Sequence, residues 1–313
     1  MGLTISRREF LAGCAVLAGG GILAVTLREG SEPGAPSRAI AFGQTSFAGQ
    51  PPVFDRAQFV SDESALDRPI QLTHTLYNFH DNPGTDEAWL LSRGVTPIVN
   101  CFGRLKQSDY PGNAAIAAGG FDPQITKWAD ALGSLSGTVL LRPLREMNHS
   151  FAPWYTTNQS EYIDAWRHIH DLFSHTSNVR FVWCPATAGA AYEPWYPGDN
   201  YVDVCGVDGY ARVGNWHSFR DLFAPFYFRC NPKNGTLARK PTMVCETNAE
   251  VAADQEAYNR GAFFAGIVPA LKGSFPLMSG LCVWIDGNYP DIGAAGSPQY
   301  MAMAHDAYLS ATT

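Results

Sequence analysis

From residue 38 onward the chain repeats one unit, a short apolar, β-branched run followed by a segment with helical spacing. Eight such runs can be read, at 38–47, 68–79, 96–103, 138–147, 179–186, 202–210, 240–248 and 277–286. Helical candidates fill most of the gaps, at 53–64, 84–93, 122–134, 159–174, 217–228 and 251–272, with a last one at 298–310. The clearest is 159–174, where Tyr162, Trp166, Ile169 and Phe173 recur at steps of four, three and four and so share one face. Asn158 or Ser160 is expected to cap its start, because either side chain can accept a bond from a free backbone N–H. The connection 187–201 is rich in Pro and Gly and is expected to lack a full helix. Eight strands alternating with helices over roughly 275 residues predict an α/β fold, a single-domain (β/α)8 TIM barrel. The alternative, a doubly wound sheet, usually carries a glycine-rich phosphate loop after its first strand. Here that strand ends Gln44-Thr45-Ser46-Phe47.

Charge and cysteine usage narrow the function classes. Lys and Arg number 22 against 29 Asp and Glu, a net charge of −7 with no basic stripe, which excludes a nucleic-acid binder that tracks phosphates. None of the seven cysteines forms a C-x-x-C pair, so a structural zinc site has no support. Residues 1–36 read as a twin-arginine-type export signal and linker. Ser6-Arg7-Arg8-Glu9-Phe10-Leu11 precedes a mild apolar run, Leu11 to Leu27, that is short of the about 20 residues a membrane span needs. Contact with a membrane is expected only if that segment stays uncleaved. Residues 37–313 then form the working domain, delivered to the periplasm, the cell surface or the medium. Such export moves folded proteins, so the remaining thiols are expected to be free. Cys101, Cys184, Cys205, Cys245 and Cys282 each sit in a strand-like run, where cysteine acts as a small hydrophobe.

In a barrel of this kind the working side chains lie at the C-terminal ends of the strands. The fourth run ends Arg142-Pro143-Leu144-Arg145-Glu146-Met147-Asn148-His149, and the sixth ends Asp208-Gly209-Tyr210. The seventh ends Cys245-Glu246-Thr247-Asn248 and the eighth Trp284-Ile285-Asp286. Strict alternation puts Leu140, Arg142, Leu144 and Glu146 on one face, and Thr242, Val244 and Glu246 on one face. A carboxylate closing so apolar a strand is desolvated and its pKa raised unless a cation opposes it; Arg142 is the expected cation for Glu146. Two such carboxyl groups are what glycoside hydrolysis needs, one to protonate the leaving oxygen and one to attack or to activate water. Water is then the second substrate, and neither metal nor cofactor is required. The first strand lacks the H-x-H pair of metal-dependent barrel hydrolases, and H-E-x-x-H and G-x-S-x-G occur nowhere.

At this point the sequence resembles glycoside hydrolase family 26, the family of many β-mannanases. The resemblance rests on Arg142-Pro143 leading to Glu146 and Asn148, the helix Tyr162 to His170, and the strand Phe181-Val182-Trp183-Cys184-Pro185. Tyr196-Pro197-Gly198-Asp199, Tyr201-Val202-Asp203 and the strand from Lys240-Pro241 to Glu246 complete it. It implies a retaining, endo-acting hydrolase of a β-linked polysaccharide, β-mannan being the best single guess, with Glu146 as acid/base and Glu246 as nucleophile about 5–5.5 Å apart. It further implies that Tyr210 contacts the nucleophile and that Trp284 floors the site. Asn148 and His149, which stand where the family has Asn-Gly, are candidates for sugar contact. Trp154 and Trp216 are candidate stacking platforms, and His80 a candidate contact from the second strand. The chain departs from the family by placing Arg145 where it has His, directly before the acid/base. That guanidinium leaves open another linkage, such as β-1,3-xylan, β-glucan or a bacterial surface glycan, or an acidic group on the glycan. A non-catalytic glycan-binding barrel is the rival reading, if Arg145 pins Glu146 as an anion that has no proton to give. The expected partner is an oligosaccharide or polysaccharide, and the chain is expected to act as a monomer.

Overall fold

A computed structural model describes residues 39–49, 53–101, 110–254, 256–286 and 297–309. The export segment expected over 1–36 lies outside the described residues. Eight strands form a closed parallel barrel: β1 (Ala41–Gln44), β2 (Leu72–Tyr77), β3 (Thr96–Cys101), β4 (Val139–Arg142), β5 (Val179–Trp183), β6 (Val204–Ala211), β7 (Thr242–Ala249) and β8 (Met278–Val283). Each pairs with its neighbours along the chain and β8 closes onto β1. All eight apolar runs are therefore strands, although the fourth stops at Arg142 rather than running on to Met147.

Alternation along the strands divides the apolar side chains between two sets. Ala41, Leu72, Ile98, Leu140, Val182, Val204 and Met243 fill the barrel interior, together with Cys184, Cys245 and Cys282. Their sequence neighbours Phe42, Val99, Leu141, Phe181, Cys205, Val244 and Leu281 point outward into the layer between strands and helices. All six described cysteines are buried and free, as expected of small core residues. Gly43, at the β1–β2 contact, is required by close approach: a Cβ there would lie 2.4 Å from the Leu72 carbonyl oxygen.

The helices are α1 (Arg56–Leu66), α2 (Thr85–Ser92), α3 (Asn113–Ala117), α4 (Asp122–Gly133), α5 (Gln159–Leu172), α6 (Phe219–Cys230), α7 (Arg260–Ala265), α8 (Ile267–Gly273) and α9 (Ser297–Ala304). In α5 the expected face is the buried one, with Tyr162, Trp166 and Ile169 facing the strands and Phe173 buried at the end. Asn158 does occupy the N-cap position, but its amide is spent on Glu161 at 2.9 Å and its oxygen on the Ser160 hydroxyl at 2.7 Å. The helix read over 251–272 begins only at Arg260, where the Asn259 side chain caps it through Ala262 N–H at 2.7 Å, and it breaks at Gly266. The five-residue α3 is too short for periodicity to reveal. The connection 187–201 carries two single 3₁₀ turns, Glu193–Trp195 and Asp199–Tyr201, in keeping with its composition. Among the described residues no helix is long and apolar enough to cross a membrane.

Candidate active site

Two local departures from the pleat aim the two glutamates. After β4 the chain enters a tight turn in which Leu144 (φ 49°) and Glu146 (φ 53°) both take the left-handed conformation. For a non-glycine residue that region costs about 1–3 kcal/mol and persists only where surrounding contacts hold it. Here Glu146 N–H donates to the Cys184 carbonyl at 2.7 Å, Trp154 Nε1 to the Arg145 carbonyl at 2.6 Å, and Tyr162 Oη to the Leu144 carbonyl at 3.3 Å. Leu144 consequently packs outward in the helix layer, so the expected shared face of Leu140, Arg142, Leu144 and Glu146 is broken.

The second departure is a β-bulge in β7. Val207 pairs with Val244 and Asp208 with Glu246, while Leu281 pairs with Val244 and Val283 with Thr247. One extra residue, Cys245, therefore sits on β7 against both neighbours, and such an insertion re-aims the side chain that follows. Val244 faces the helices and Cys245 the interior. Glu246, expected to share the face of Val244, instead turns inward. Both glutamates are buried, Glu146 to 7% and Glu246 to 3% residual exposure.

Glu246 is held from three sides. Tyr210 Oη donates to its Oε2 at 2.7 Å, Arg142 Nη2 donates to its Oε1, and Arg145 Nη1 lies 3.8 Å from that same Oε1. The Arg145 nitrogen also donates to Oε2 of Glu146 at 2.7 Å. With legs of 2.7 and 3.8 Å from one nitrogen, the two carboxylate oxygens are at most about 6.5 Å apart. The cation bonded to Glu146 is thus Arg145, while Arg142, the expected one, acts on Glu146 through its charge and to a smaller extent. Arg142 is fully buried and grips Asp208 through Nη1 at 2.7 and 2.9 Å, while its Nε donates to Asn100 at 2.6 Å.

These surroundings separate the proton affinities of the pair. Burial works against charge on Glu246, yet Arg142, Arg145 and the Tyr210 hydroxyl outweigh it and hold the carboxyl down at about 2. On Glu146 burial wins over the pull of Arg145, and the nearby Glu246 charge adds to it, so this carboxyl is raised above its ordinary value. Arg145 therefore touches Glu146 without bringing its proton affinity below the ordinary value. Burial also pushes the Asp208 carboxyl up, with the two short Arg142 bonds opposing it. His74, beneath the site, is held down at about 3 by burial and by Arg142 and is neutral. Its Nε2 donates to the Cys245 carbonyl at 2.8 Å, which leaves Nδ1 to accept from Asn100 at 3.0 Å.

A cleft of about 270 Å³ opens beside Glu146, lined by His149, Phe151, Thr187, Asp208, Tyr210 and Arg212, among others. His149 is half-buried and packs with its ring tilted against Phe151, centroids 4.2 Å apart, and Phe151 is 56% exposed at the rim. Trp284 is buried against Leu76, beside the cleft residue Tyr210, with its indole N–H given to Asp286 at 2.8 Å. Three expected contacts are not brought to the cleft. Trp154 is buried in the helix layer, where its ring meets Tyr110 at 5.8 Å, so it props the Arg145 carbonyl and offers no stacking face. Trp216 packs on Tyr258 at 5.6 Å and does not line the cleft. His80 is exposed, with its ring on Phe79, which in turn packs on Phe121 of the neighbouring connection.

Asn148 is also reassigned. Its amide donates to the carbonyls of Ala186 at 2.9 Å and Ala190 at 2.8 Å, and its oxygen accepts from Ala186 N–H at 2.9 Å. The side chain is committed to the 186–190 loop, which forms one wall of the cleft, rather than to a sugar. The buried network that joins Asn100, His74, Arg142 and Asp208 was not expected as a unit, although Arg142 was read as a cation and Asp208 stood at a strand end. Cys184, Asp208 and Cys245 place possible metal-ligating atoms within 4.8 Å of one another. Arg142 Nη1 already donates to Asp208 and to the Cys184 sulfur at 3.5 Å, so a guanidinium occupies the place of a cation there.

The sequence model described as glycosyl hydrolase family 26 matches residues 77–257. Endoglucanase H of Acetivibrio thermocellus is 33% identical over 169 residues, covering 46% of this chain and 18% of that protein. The mannan endo-1,4-beta-mannosidase A and B of Caldalkalibacillus mannanilyticus is 35% identical over 100 residues, covering 28% of this chain and 20% of that protein. The chain thus spans about a fifth of the length of these relatives. Among solved structures, Bacillus subtilis mannanase man26 superposes with a TM-score of 0.59 at 19% identity, over 88% of each chain. A modular endo-beta-1,4-mannanase from Cellulomonas fimi gives 0.61 at 19% identity, over 88% of this chain and 73% of that one. At these identities the likeness is one of fold.

Proposed function

The chain belongs to glycosyl hydrolase family 26, and from that premise we propose that it is a retaining, endo-acting hydrolase of a β-linked, mannan-type polysaccharide, with Glu146 as acid/base and Glu246 as nucleophile. The observation that carries the reading is the spacing and opposite proton affinity of the pair. Retaining glycosidases hold their carboxyl groups about 5–5.5 Å apart and inverting ones about 6.5–9.5 Å apart. The Arg145 bridge keeps the two oxygens at or below the lower edge of the inverting range. Enzymes named mannan endo-1,4-beta-mannosidases among the relatives support a mannan-type backbone.

Glu246, charged and held by Arg142 and Tyr210, attacks the anomeric carbon while Glu146 passes its proton to the leaving glycosidic oxygen. A glycosyl ester forms on Glu246 and the aglycone leaves as an alcohol. Esterification removes the Glu246 charge that had helped to raise the Glu146 pKa, while Arg145 stays 2.7 Å from the new Glu146 carboxylate. Both changes favour the ionised form, so the former acid can now take a proton from water. As that proton leaves, the water oxygen bonds to the anomeric carbon and its bond to Glu246 breaks, so Glu246 leaves as a carboxylate and Glu146 again holds a proton.

The test is release of reducing ends from β-1,4-mannan. Glu246→Ala is expected to abolish it on every substrate. Glu146→Ala is expected to lose polysaccharide cleavage yet spare the first step on aryl glycosides, whose leaving groups need no proton. Undiminished activity in Glu246→Ala contradicts the assignment, and equal losses on both substrate kinds in Glu146→Ala contradict its role as acid.

A further inference from the structure

We infer that His149 is a specificity-determining residue for the leaving half of the substrate, where its Nε2 hydrogen-bonds a hydroxyl of the sugar that departs with the proton of Glu146. The inference rests on the glycosidase reading above and deepens it by assigning one side of the cleft. Its first support is where that cleft runs. It starts beside Glu146 and Tyr210 and passes the loops that follow β5 and β6, at Thr187 and Asn215, to reach Leu222 and Pro225 of α6. His149 is on its wall, and Glu246 does not line it. In a double displacement the anomeric carbon faces the nucleophile, while the leaving oxygen faces the acid. A cleft walled by Glu146 and not by Glu246 therefore holds what is attached to the leaving oxygen.

The second support is the state of the imidazole on that wall. Its backbone is tied to the turn that carries the acid: His149 N–H donates to the Glu146 carbonyl at 2.9 Å, and the His149 carbonyl accepts from Ala152 N–H at 3.0 Å. Asn148, the residue before it, is locked by its amide to Ala186 and Ala190. With the ring packed against Phe151, the side chain is presented rather than loose. Nδ1 is buried and without a partner. Nε2 bonds to no group among the described residues yet keeps exposed surface, so it is the nitrogen that a ligand in the cleft can reach. Burial and the Arg212 charge hold the ring below its ordinary pKa, so at neutral pH it carries one donor and one acceptor. A sugar hydroxyl both donates and accepts, and it pairs with Nε2 in either tautomer. The glycine that the family pattern places at this position offers no side chain, so the contact is this chain's own.

The test compares kcat/KM on β-1,4-mannotetraose, split in its middle, with kcat/KM on nitrophenyl β-mannobioside. Both present the same mannobiosyl group to Glu246, and only the first has a sugar as its leaving group. The ratio of the two does not depend on how much of a variant folds, because both rates scale with the active fraction. In His149→Ala the ratio is expected to fall about tenfold, the scale of one hydrogen bond. His149→Gln, whose amide nitrogen reaches the place of Nε2, is expected to restore most of it. His149→Asn, whose amide nitrogen stands in the place of Nδ1, is expected to restore none. A ratio in His149→Ala that rises or stays within about twofold of the unaltered chain overturns the inference, as does equal restoration by Gln and Asn. In those cases cleavage of mannotetraose, lost in Glu246→Ala, still upholds the glycosidase reading. Cleavage of neither substrate by the unaltered chain overturns both.

Discussion

Replacing Tyr210 by Phe removes one oxygen and isolates the hydrogen bond that orients Glu246, the proposed nucleophile. The ring is expected to stay, since it packs against the small apolar cluster of Leu76 and Trp284. What is lost is the 2.7 Å bond from its hydroxyl to Glu246 Oε2, while Arg142 keeps its hold on Oε1. A hydrogen bond to a charged group contributes about 1.5–3 kcal/mol net. Because this donor favours the ionised carboxyl, its loss raises the Glu246 pKa from about 2. At 1.36 kcal/mol per unit, the rise is about 1–2 units. The acid limb of kcat/KM is therefore expected to move up by that amount. At neutral pH Glu246 stays charged but is less well aimed, and kcat/KM is expected to fall about 10- to 100-fold. The assay is initial rates on β-1,4-manno-oligosaccharides over a pH series reaching down through the limb. An unmoved acid limb with a rate within about twofold of the unaltered chain would refute the reasoning.

Other perturbations test the rest of the structure. Glu246 is lowered from 4.5 to about 2 in the folded chain, so its contribution, on the order of 3 kcal/mol, is present above pH 4.5 and is lost as pH falls through 2. Glu146 is raised, so its contribution is present below its unfolded pKa and is lost as pH rises through its folded one. Urea titrations across pH are expected to show the acid-side loss in the unaltered chain and a flattened slope in Glu246→Gln; an identical slope contradicts the assignment. Asn148→Ala removes three bonds to the 186–190 loop, at about 1 kcal/mol each. It is expected to lower stability by about 3 kcal/mol without changing the order of substrate preference, and weaker sugar binding at full stability would return Asn148 to the substrate. Gly43→Ala drives a methyl into the Leu72 backbone and is expected to lower stability by more than the about 1–3 kcal/mol of ordinary overpacking, read as the denaturation midpoint.

The barrel was legible because each strand carries an apolar run between turn signals, and the period of the intervening segments is that of a helix. The sites where alternation failed are the sites that matter. At 244–246 an apolar Val and an apolar Cys precede the glutamate, so the pattern contains no mark of the extra residue, and only the pairing of β7 with both neighbours reveals it. At 142–146 the strand ends early because two residues turn left-handed, a strain held by contacts from Cys184, Trp154 and Tyr162, which lie 9 to 38 residues away in the chain. That Glu146, Glu246 and Tyr210 come together could be read because their place just past or at strand ends survives both departures. Trp154 and Asn148 could not be assigned, since a sequence shows an aromatic ring or an amide near the mouth but not which backbone groups consume it. Arg145 was recognised as a departure from the family pattern, while its span of both carboxyl groups needed coordinates.

The central claim is that Glu146 and Glu246 work as a retaining pair, and the anomeric form of the first product tests it most directly. Proton NMR of β-1,4-manno-oligosaccharide cleavage, recorded before mutarotation sets in, is expected to show the β-anomer appearing first and the α-anomer only later. The α-anomer appearing first would mean direct attack by water and would contradict the account.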